Sequence, residues 1–386
     1  MRRIYLDNNA TTPLSENARR SMRAIIELFG NASSMHKDGR LARQAIEKAR
    51  ANVAALIGAE PSEIIFNSGG SEANNTVFNI LAERDFGNRN EIIVSAIEHP
   101  CVLASAQKLE KKGWKVWHAP VDEKGKLRIS EFNKVLNEKT ALVSVMLANN
   151  EIGTVQDIAK ITQLAQKAGA LMHTDAVQAV SKIAVDVKDL AVDYLTMSAH
   201  KIYGPKGAGA LFVRTGAPFL PLIVGGHQEN GRRAGTDSTL GVVGFGLAAK
   251  MAKNMIEKYQ KIAKLRDELQ RQILKKIPFT TVNGDGSLPN TLNVSFAGAE
   301  GESILLALDE VGVEVSTGSA CASGDGKPSH VLMAIKADPE LAHGSIRFSF
   351  GLDNDMKDVN YVMRVLPEIV WKLRAISTVK IGDKNE

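Results

Sequence analysis

The stretch 193-DYLTMSAHKIYGPKG-207 places a lysine, Lys201, shortly after an apolar segment of strand length. Ligands of α/β proteins bind at the carboxyl ends of parallel strands, where this lysine is expected to lie. Among apolar neighbours a lysine loses its proton more readily and can act as a Schiff-base amine. Most lysines before a turn are ordinary surface residues, so the interpretation depends on the rest of the chain.

Strand-like and helical patterns alternate on both sides of this stretch. Residues 38–58 predict a helix with Asp38 as N-cap and Gly58 as C-cap. Strands are predicted at 63-EIIF-66, 91-EIIVSA-96, 141-ALVSVML-147, 170-ALMHT-174 and 209-GALFV-213. This alternation predicts an α/β fold with a mainly parallel sheet flanked by helices.

The pattern changes near residue 240. Residues 240–276 predict one long helix or a pair of helices rich in Lys, Arg and Glu. Strands are then predicted at 290-NTLNVSF-296, 313-VEVST-317 and 345-SIRFSF-350. We therefore expect a second, smaller α+β domain after the parallel sheet.

The composition is that of an ordinary globular protein, with 44% hydrophobic and 24% charged residues in 386. The net charge of +5 is spread along the chain, so no basic segment predicts nucleic-acid binding. Apolar runs such as 142-LVSVMLA-148 are shorter than the ~20 residues of a membrane helix, and the first residues do not resemble a signal peptide. Two distant cysteines predict neither a disulfide framework nor a zinc site, which favours a reducing, cytoplasmic setting.

A Schiff-base lysine implies pyridoxal phosphate, whose ring nitrogen needs a carboxylate beside it. Asp175 ends the predicted strand 170–174 and stands 26 residues before Lys201, so both are expected at strand ends. Gln178 follows three residues later, on the same face of a helical turn, and could donate to the ring oxygen. Alone, Asp175 would be interpreted as a helix N-cap.

The cofactor also needs a phosphate site. The segment 68-SGGSEAN-74 brings Gly70 and Ser71 to a predicted helix N-terminus, where backbone N–H groups and the helix dipole bind anions. Ser198 and His200 flank Lys201 and could add contacts. Glycine-rich turns before helices are common, so this pattern carries weight only beside the lysine and the aspartate.

Other polar residues follow predicted strands or lie within them. His99 precedes a proline and could stack on a planar ring or carry a proton, although a lone histidine is usually a bystander. Arg347, in an alternating strand, could bind a substrate carboxylate with both arms of its fork, helped by Asn150. Cys101 is interpreted as a buried helix thiol without chemistry.

Together these segments resemble the class V pyridoxal-phosphate-dependent aminotransferase family, specifically the cysteine desulfurases of the NifS/IscS type. The matching stretches run in family order along nearly the whole chain. They are 6-LDNNATTP-13, 31-NASSMHKDGR-40, 68-SGGSEAN-74, 98-EHPCV-102, 149-NNEIGT-154, 173-HTDAVQ-178, 198-SAHKIYGPKG-207, 225-GGHQENGRRAGT-236, 316-STGSACASG-324 and 342-AHGSIRFSFG-351. Gly70-Ser71 departs from the Ala-Thr of many relatives, and Cys101 from their alanine.

The resemblance implies the fold of type I pyridoxal-phosphate transferases and a homodimer. It implies a large domain at 15–260 with a seven-stranded sheet, and a small domain made of 1–14 with 261–386. Lys201 would be the Schiff-base lysine, Asp175 the partner of the ring nitrogen and His99 the stacked acid–base residue. Further contacts implied are Gln178 at the ring oxygen, Gly70, Ser71, Ser198 and His200 at the phosphate, Thr236 from the other subunit, and Asn150 and Arg347 at the substrate carboxylate.

The resemblance makes Cys321, in 316-STGSACASGDG-326, the nucleophile. It implies that L-cysteine gives L-alanine and a Cys321 persulfide, whose sulfur passes to an acceptor for iron–sulfur cluster assembly or tRNA thiolation. The free enzyme would need no metal, although Cys321 would hold sulfur or a cluster ligand in transit. The small residues around Cys321 predict a loop that moves between a pocket and the acceptor.

Two alternatives stay open from the residues alone. One is another pyridoxal-phosphate-dependent lyase or aminotransferase on the same fold, including a selenocysteine lyase. The other is a scaffold protein for cluster assembly that kept the fold without the chemistry. Lys201, Asp175, His99 and Cys321 together argue against the scaffold, and assays for a keto acid and for alanine separate the enzymes.

Overall fold

Three β-sheets organise the computed structural model, which describes residues 3–317 and 328–377. The strands in chain order are β1 (Ile4–Tyr5), β2 (Ile64–Asn67), β3 (Glu91–Ser95), β4 (Lys115–Ala119), β5 (Thr140–Ser144), β6 (Leu171–Asp175), β7 (Tyr194–Ser198), β8 (Gly209–Val213), β9 (Thr280–Asn283), β10 (Thr291–Phe296), β11 (Val313–Glu314), β12 (Ser316–Thr317) and β13 (Ser345–Ser349).

The largest sheet has seven strands in the order β2-β8-β7-β6-β5-β3-β4. All neighbours pair in parallel except at β8, which is antiparallel to both β2 and β7. The prediction of a mainly parallel sheet is confirmed. Its central strands are buried along their whole length, which explains why they appear in the sequence as continuous apolar runs.

Helices cover both faces of this sheet and one face of the smaller sheet. They are α1 (Glu16–Ile25), α2 (Lys37–Leu56), α3 (Gly70–Glu83), α4 (Pro100–Glu110), α5 (Ile129–Val135), α6 (Ile158–Lys167), α7 (Val187–Leu190), α8 (Thr239–Ala252), α9 (Ile256–Lys276), α10 (Gly301–Glu310), α11 (His330–Ala334), α12 (Pro339–His343) and α13 (Met356–Ile376). The region 240–276 is therefore a pair of helices, α8 and α9.

The predicted N-cap of the helix at 38–58 is wrong by two residues. His36 caps α2, since its Nδ1 accepts from the backbone N–H of Gly39 at 3.3 Å, and Asp38 lies in the first turn. At the other end Ile57 is the C-cap, and Gly58 follows it with φ of +70°, the left-handed position that favours glycine.

The smaller sheet is antiparallel, with four strands in the order β12-β13-β10-β9. The single strand predicted at 313–317 is wrong, because β11 pairs in parallel with β1 while β12 pairs with β13. The chain changes partner at the buried Val315. The local sequence pattern could not predict this change of partner, because β1, which pairs with β11, comes from the other end of the chain.

The sequence did not predict β1, β4 or β9, which border their sheets, and the predicted end of another strand differs. β1 has only two residues, and β4 and β9 consist mainly of exposed and partly buried residues, so none of the three contains a long buried apolar run. The run predicted at 141–147 is assigned as strand only to Ser144, yet Val145 and Leu147 still donate to the carbonyls of β6.

The division into a large domain at 15–260 and a small domain made of 1–14 with 261–386 remains a prediction. The two sheets are formed by separate parts of the chain, and α9 packs on α13, β9 and β10 of the smaller sheet. A boundary at residue 260 lies inside α9, so the junction 253–255 between α8 and α9 is the natural place for it. In the described part of the chain, no helix has the length and apolarity to cross a membrane.

Candidate active site

A cavity of about 330 Å³ opens where the carboxyl ends of the central strands meet the N-terminal arm, residues 6–13. That is a volume typical of a small-ligand site. Its wall consists of Asn9, Ala10, Gly70, Ser71, Asn74, His99, Cys101, Met146, Asn150, Asp175, Val177, Gln178, Ser198, His200, Lys201 and Arg347. The cavity thus brings together every predicted site residue except Thr236 and Cys321.

Lys201 ends a short 3-10 turn, Ala199–Lys201, that directly follows β7. Its Nζ donates to the backbone carbonyls of Asn9 at 2.6 Å and Ala10 at 2.7 Å. The N-terminal arm therefore holds the amine at the cavity wall. No local pattern around Lys201 indicates this contact, because the two segments are 192 residues apart.

Asp175 is the last residue of β6 and is only 5% exposed. Its Oδ2 accepts from Nδ2 of Asn74 at 2.7 Å, and its Oδ1 accepts from the backbone N–H of Val177 at 2.9 Å. These two donors fix the plane of the carboxylate. Asp175 accepts at the start of a turn rather than capping a helix, and it lines the cavity with its carboxyl group held in place.

His99 caps α4, because its Nδ1 accepts from the backbone N–H of Cys101 at 3.2 Å. Burial lowers the pKa of His99, against the opposing charge of Asp175, while Lys201 lowers it further. The neutral ring therefore carries its proton on Nε2, since Nδ1 is an acceptor. An imidazole in this form can stack on an aromatic ring and move a proton.

Cys101 is half-buried in the cavity wall, so the expectation of a buried helix thiol is only partly correct. Its Sγ lies 3.0 Å from Nδ1 of His99 and accepts from Nδ2 of Asn74 at 3.2 Å. Burial raises the pKa of the Cys101 thiol to about 11. Near neutral pH the group is thus a thiol and not a nucleophilic thiolate.

One end of the cavity is suited to an anion. Helix α3 begins at Gly70, and Ser71 and the buried Ser198 lie beside it. A Cβ placed on Gly70 would come within 2.9 Å of Cγ2 of Val177, so a side chain there would crowd the cradle. Burial lowers the pKa of His200 to about 4, which leaves a neutral ring beside Thr11 at 3.1 Å.

Arg347 is 4% exposed and reaches the opposite end of the cavity from β13. Its Nη2 donates to Oδ1 of Asp7 at 2.6 Å and its Nη1 to the carbonyl of Asn150 at 3.2 Å. Its Nε is buried without a partner among the described residues. A buried unpaired donor costs stability, so this arginine is held at the cavity wall at some cost to the fold.

Gln178 lies between the arm and the turn that follows β6. Its Nε2 donates to the carbonyl of Asn9 at 2.8 Å, and its Oε1 accepts from Nζ of Lys182 at 2.7 Å. Neither Lys182 nor Asn74 was predicted to act here. Asn74 stands one helical turn after Gly70, a spacing that would have indicated it, whereas Lys182 had no such signal.

Two predicted residues do not line the cavity within the described chain. Thr236 is exposed to solvent and is absent from the wall. Cys321 lies outside residues 3–317 and 328–377, and so does the segment around it on which the predicted movement depends. The role of each stays a prediction.

Known proteins share this arrangement along the whole chain. The family model described as Aminotransferase class-V matches residues 4–362. A protein of Dictyoglomus turgidum named cysteine desulfurase IscS is 48% identical over 98% of this chain and 97% of its own length. A cysteine desulfurase of Gluconacetobacter diazotrophicus is 46% identical over 98% of this chain and 96% of its own. The chain belongs to the cysteine desulfurases of the class-V aminotransferase family.

Solved structures agree with this membership. A NifS-like protein superposes with a TM-score of 0.90 at 37% identity, covering 96% of this chain and 100% of its own. The structure described as SspA in complex with cysteine has a TM-score of 0.80 at 34% identity and covers 90% and 98%. The cysteine desulfurase therefore has the type I fold that its sequence predicted.

Cysteine desulfurases of this family use pyridoxal phosphate, and the residues of this cavity fit that cofactor. The cavity offers an amine at Lys201, a fixed carboxylate at Asp175, a neutral ring at His99 and an anion cradle at the start of α3. At Gly70 the cradle is tight, because a Cβ there would come within 2.9 Å of Cγ2 of Val177.

Proposed function

We propose that the protein removes sulfur from L-cysteine at this cavity, giving L-alanine and a persulfide on Cys321. The observation that carries the proposal is the convergence of Lys201, Asp175, His99 and Arg347 on one cavity: three lie at or after the ends of different parallel strands, and Arg347 lies within β13. Each supplies a group that the reaction needs: an amine, a carboxylate, a neutral imidazole and a cation for the substrate carboxylate.

Pyridoxal phosphate, when bound, supplies an electron sink for the substrate carbon. Lys201 would bind it covalently, Asp175 would hold a proton at its ring nitrogen and His99 would stack on its ring. Gln178 and Asn150 would contact the ring substituents. Further residues at its phosphate would be Gly70, Ser71, Ser198 and His200, with the partner's Thr236.

The substrate carboxylate would lie at Arg347, which lines the cavity together with Asn150. The α-carbon would then lie toward Lys201, whose Nζ would take the α-proton once the amine is released from the cofactor. His99 keeps its proton on Nε2 and can donate it, since Nδ1 is occupied by the N–H of Cys101. Lys201 would thus accept a proton and His99 would donate one.

Cys321, as thiolate, would attack the sulfur of the substrate. An S–S bond forms, the bond between the substrate sulfur and its β-carbon breaks, and the electron pair stays on that carbon, which takes a proton. The sum is L-cysteine plus the Cys321 thiol giving L-alanine plus the Cys321 persulfide, so no outside oxidant or reductant is needed. Thiolate is the reactive form, so the Cys321 thiol would lose its proton before it attacks.

Mass spectrometry of the peptide that contains Cys321 tests this proposal. After incubation with pyridoxal phosphate and L-cysteine, the peptide should carry one added sulfur atom, and one alanine should form for each persulfide. Cys321→Ser should bind the cofactor normally and form neither product, and Cys101→Ser is the matched control that keeps both. Normal alanine release by Cys321→Ser, or a keto acid in place of alanine, would contradict the assignment.

We also propose that the enzyme is a homodimer. Phe29, Met35 and Val224 are 83%, 90% and 78% exposed, respectively, and apolar side chains so open to water favour a contact. Thr236 is in a loop anchored at its base by Glu229, which accepts from Arg50 at 2.6 Å and from the backbone N–H of Phe66. An anchored loop whose exposed threonine does not line its own cavity suits a contact with the partner's cavity.

The recipient of the sulfur is proposed from the chemistry of the persulfide. Its outer sulfur is transferred to another thiol, so we propose an acceptor protein with an exposed cysteine, such as a scaffold for iron–sulfur clusters. A nucleophilic thiol survives in a reducing compartment, which supports a cytoplasmic location. Radiolabelled sulfur on Cys321 should appear on an added scaffold protein, and label that stays on the enzyme would argue against this acceptor.

A further inference from the structure

Lys182 is one of the largest fully buried side chains and lies directly behind the wall of the cavity. Its Nζ donates to Oε1 of Gln178 at 2.7 Å and lies 3.5 Å from Oδ1 of Asn9. The ion pairs of the described residues give it no carboxylate, and burial lowers its pKa well below the ordinary value, helped by the charges of Lys201 and Arg347. Burying an amine in this way weakens a fold, which points to a role at the site.

The contacts of Gln178 determine which end of its amide faces which neighbour. The carbonyl of Asn9 can only accept, so the amide must present Nε2 to it. That leaves Oε1 on the other side, where the N–H of Lys182 satisfies it. With both ends held, the second N–H of Nε2 remains to donate at the cavity, because Gln178 lines its wall.

We propose that Lys182 is a positioning residue that holds the Gln178 amide so that it donates to the ring oxygen of pyridoxal phosphate. The proposal rests on the role of Gln178 in the proposed function, and Lys182 itself touches neither cofactor nor substrate. Without Lys182, Oε1 becomes a buried acceptor that lacks a donor, and the side chain gains by turning out of place. Neutral or charged, the amine of Lys182 has an N–H to donate.

A double-mutant cycle with Lys182→Met and Gln178→Leu tests this. The dissociation constant of pyridoxal phosphate is measured by equilibrium dialysis, and the visible absorption spectrum of the bound cofactor is recorded. Lys182→Met should raise the dissociation constant roughly fivefold to tenfold, the worth of one hydrogen bond. It should also change the spectrum as Gln178→Leu does, and the double variant should bind no more weakly than Gln178→Leu alone.

Lys188→Met, at an exposed position in α7, is the matched control and should bind like the wild type. Unchanged binding by Lys182→Met or by Gln178→Leu, or losses that multiply in the double variant, would overturn the proposal. Melting temperatures of the proteins without cofactor show whether each variant folds, and Lys182→Leu replaces Lys182→Met if it does not. If neither folds, the lysine is structural and the proposal is wrong.

These readouts need no turnover, so they separate this inference from the proposed function. A wild-type protein that binds pyridoxal phosphate but makes no alanine from L-cysteine would disprove the proposed function alone. If the wild type is an active desulfurase and Lys182→Met binds pyridoxal phosphate as tightly as the wild type does, only the inference is disproved.

Discussion

The buried side chain of Arg347 has structural contacts and, in the proposed function, also binds the substrate. One arm of its fork binds Asp7 and another the carbonyl of Asn150, while Nε stays unpartnered among the described residues. A substrate carboxylate that reached the guanidinium from the cavity would share it with Asp7 instead of replacing it. The planar fork makes this sharing feasible, whereas a lysine presents a single point of charge.

Replacing Arg347 by lysine should therefore raise the KM for L-cysteine by roughly tenfold or more, since a hydrogen bond to a charged group is worth about 1.5–3 kcal/mol. The kcat should fall less, because the proton-moving groups stay in place. Steady-state alanine production checks this, with Arg271→Lys, on an exposed helix face, as control. A variant with the wild-type KM would remove Arg347 from the substrate site.

At the scale of elements, the start of α3 and the turn after β6 meet at a single tight contact. A Cβ on Gly70 would lie 2.9 Å from Cγ2 of Val177, which is closer than real contacts allow. The φ of Gly70 is not in the left-handed range, so the backbone itself accepts alanine. The methyl group of Val177 is therefore the obstacle to alanine at position 70.

Gly70→Ala should weaken the binding of pyridoxal phosphate several-fold, because Val177 or the cradle must shift. Adding Val177→Ala removes the methyl groups in the way and should restore the affinity to within about twofold of the wild type. Titration of the cofactor against both variants and against Val177→Ala alone measures this. Equal weakening in the single and double variants would show that the contact is not the cause.

A hydrogen bond between side chains joins the segment 149–154 to α11. Ser329 caps α11 by accepting from the N–H groups of Val331 and Leu332, and its hydroxyl donates to Oε2 of Glu151. Burial raises the pKa of Glu151 to about 7, although Ser329 and the charge of Arg347 both lower it. The first element after the Cys321 segment is therefore anchored on a carboxyl group that titrates near neutral pH.

The sign of the pH effect follows from proton counts. Between pH 4.5 and about 7 the folded state keeps a proton on Glu151 that the unfolded chain has lost, so this contribution to stability falls as pH rises and is gone above 7. Its full size is roughly 3 kcal/mol. Glu151→Gln stays neutral throughout.

The melting temperature of the wild type, taken relative to Glu151→Gln, should therefore decrease from pH 4.5 to 7 and then level off. Both proteins are measured without cofactor in the same buffers, so that contributions from other groups cancel. A difference in melting temperature between the two proteins that stays constant from pH 4.5 to 7 would mean that Glu151 has an ordinary pKa.

The sequence predicts those parts of the fold and site that depend on neighbours in the chain. Lys201, Asp175 and His99 each follow a buried strand, and both the strands and the polar residue at their ends are local signals. Asn9 and Lys182 gave no signal, because their contacts exist only once the N-terminal arm lies across strands that come much later. For the same reason the break between β11 and β12 could not be predicted.

At the scale of the whole molecule, the proposed dimer accounts for the exposed apolar side chains and for Thr236 together. Val224 follows Ile223, whose carbonyl accepts from the N–H of Ala234 and so closes a loop that ends two residues before Thr236. A change at Val224 therefore affects both the proposed contact and the threonine. The two effects should appear together.

Val224→Asp should shift the protein from dimer to monomer and weaken cofactor binding in the same concentration range, because a buried charge opposes association. Analytical ultracentrifugation combined with cofactor titration measures both. Leu306→Asp, at a 63% exposed position on α10, is the control and should leave both unchanged. A Val224→Asp protein that stays dimeric, or a wild-type monomer with normal affinity, would contradict the dimer.

The N-terminal arm also determines when the site can form during synthesis. Asp7 pairs with Arg347 and Asn9 with Ser349, contacts separated by 340 residues, while the same arm receives the amine of Lys201. A nascent chain can build its parallel sheet early, but the arm has no β13 to lie on until residues 345–349 have left the ribosome. Cofactor capture then becomes a late event, and truncated chains that stop before β13 are expected to emerge colourless even when their large sheet has folded.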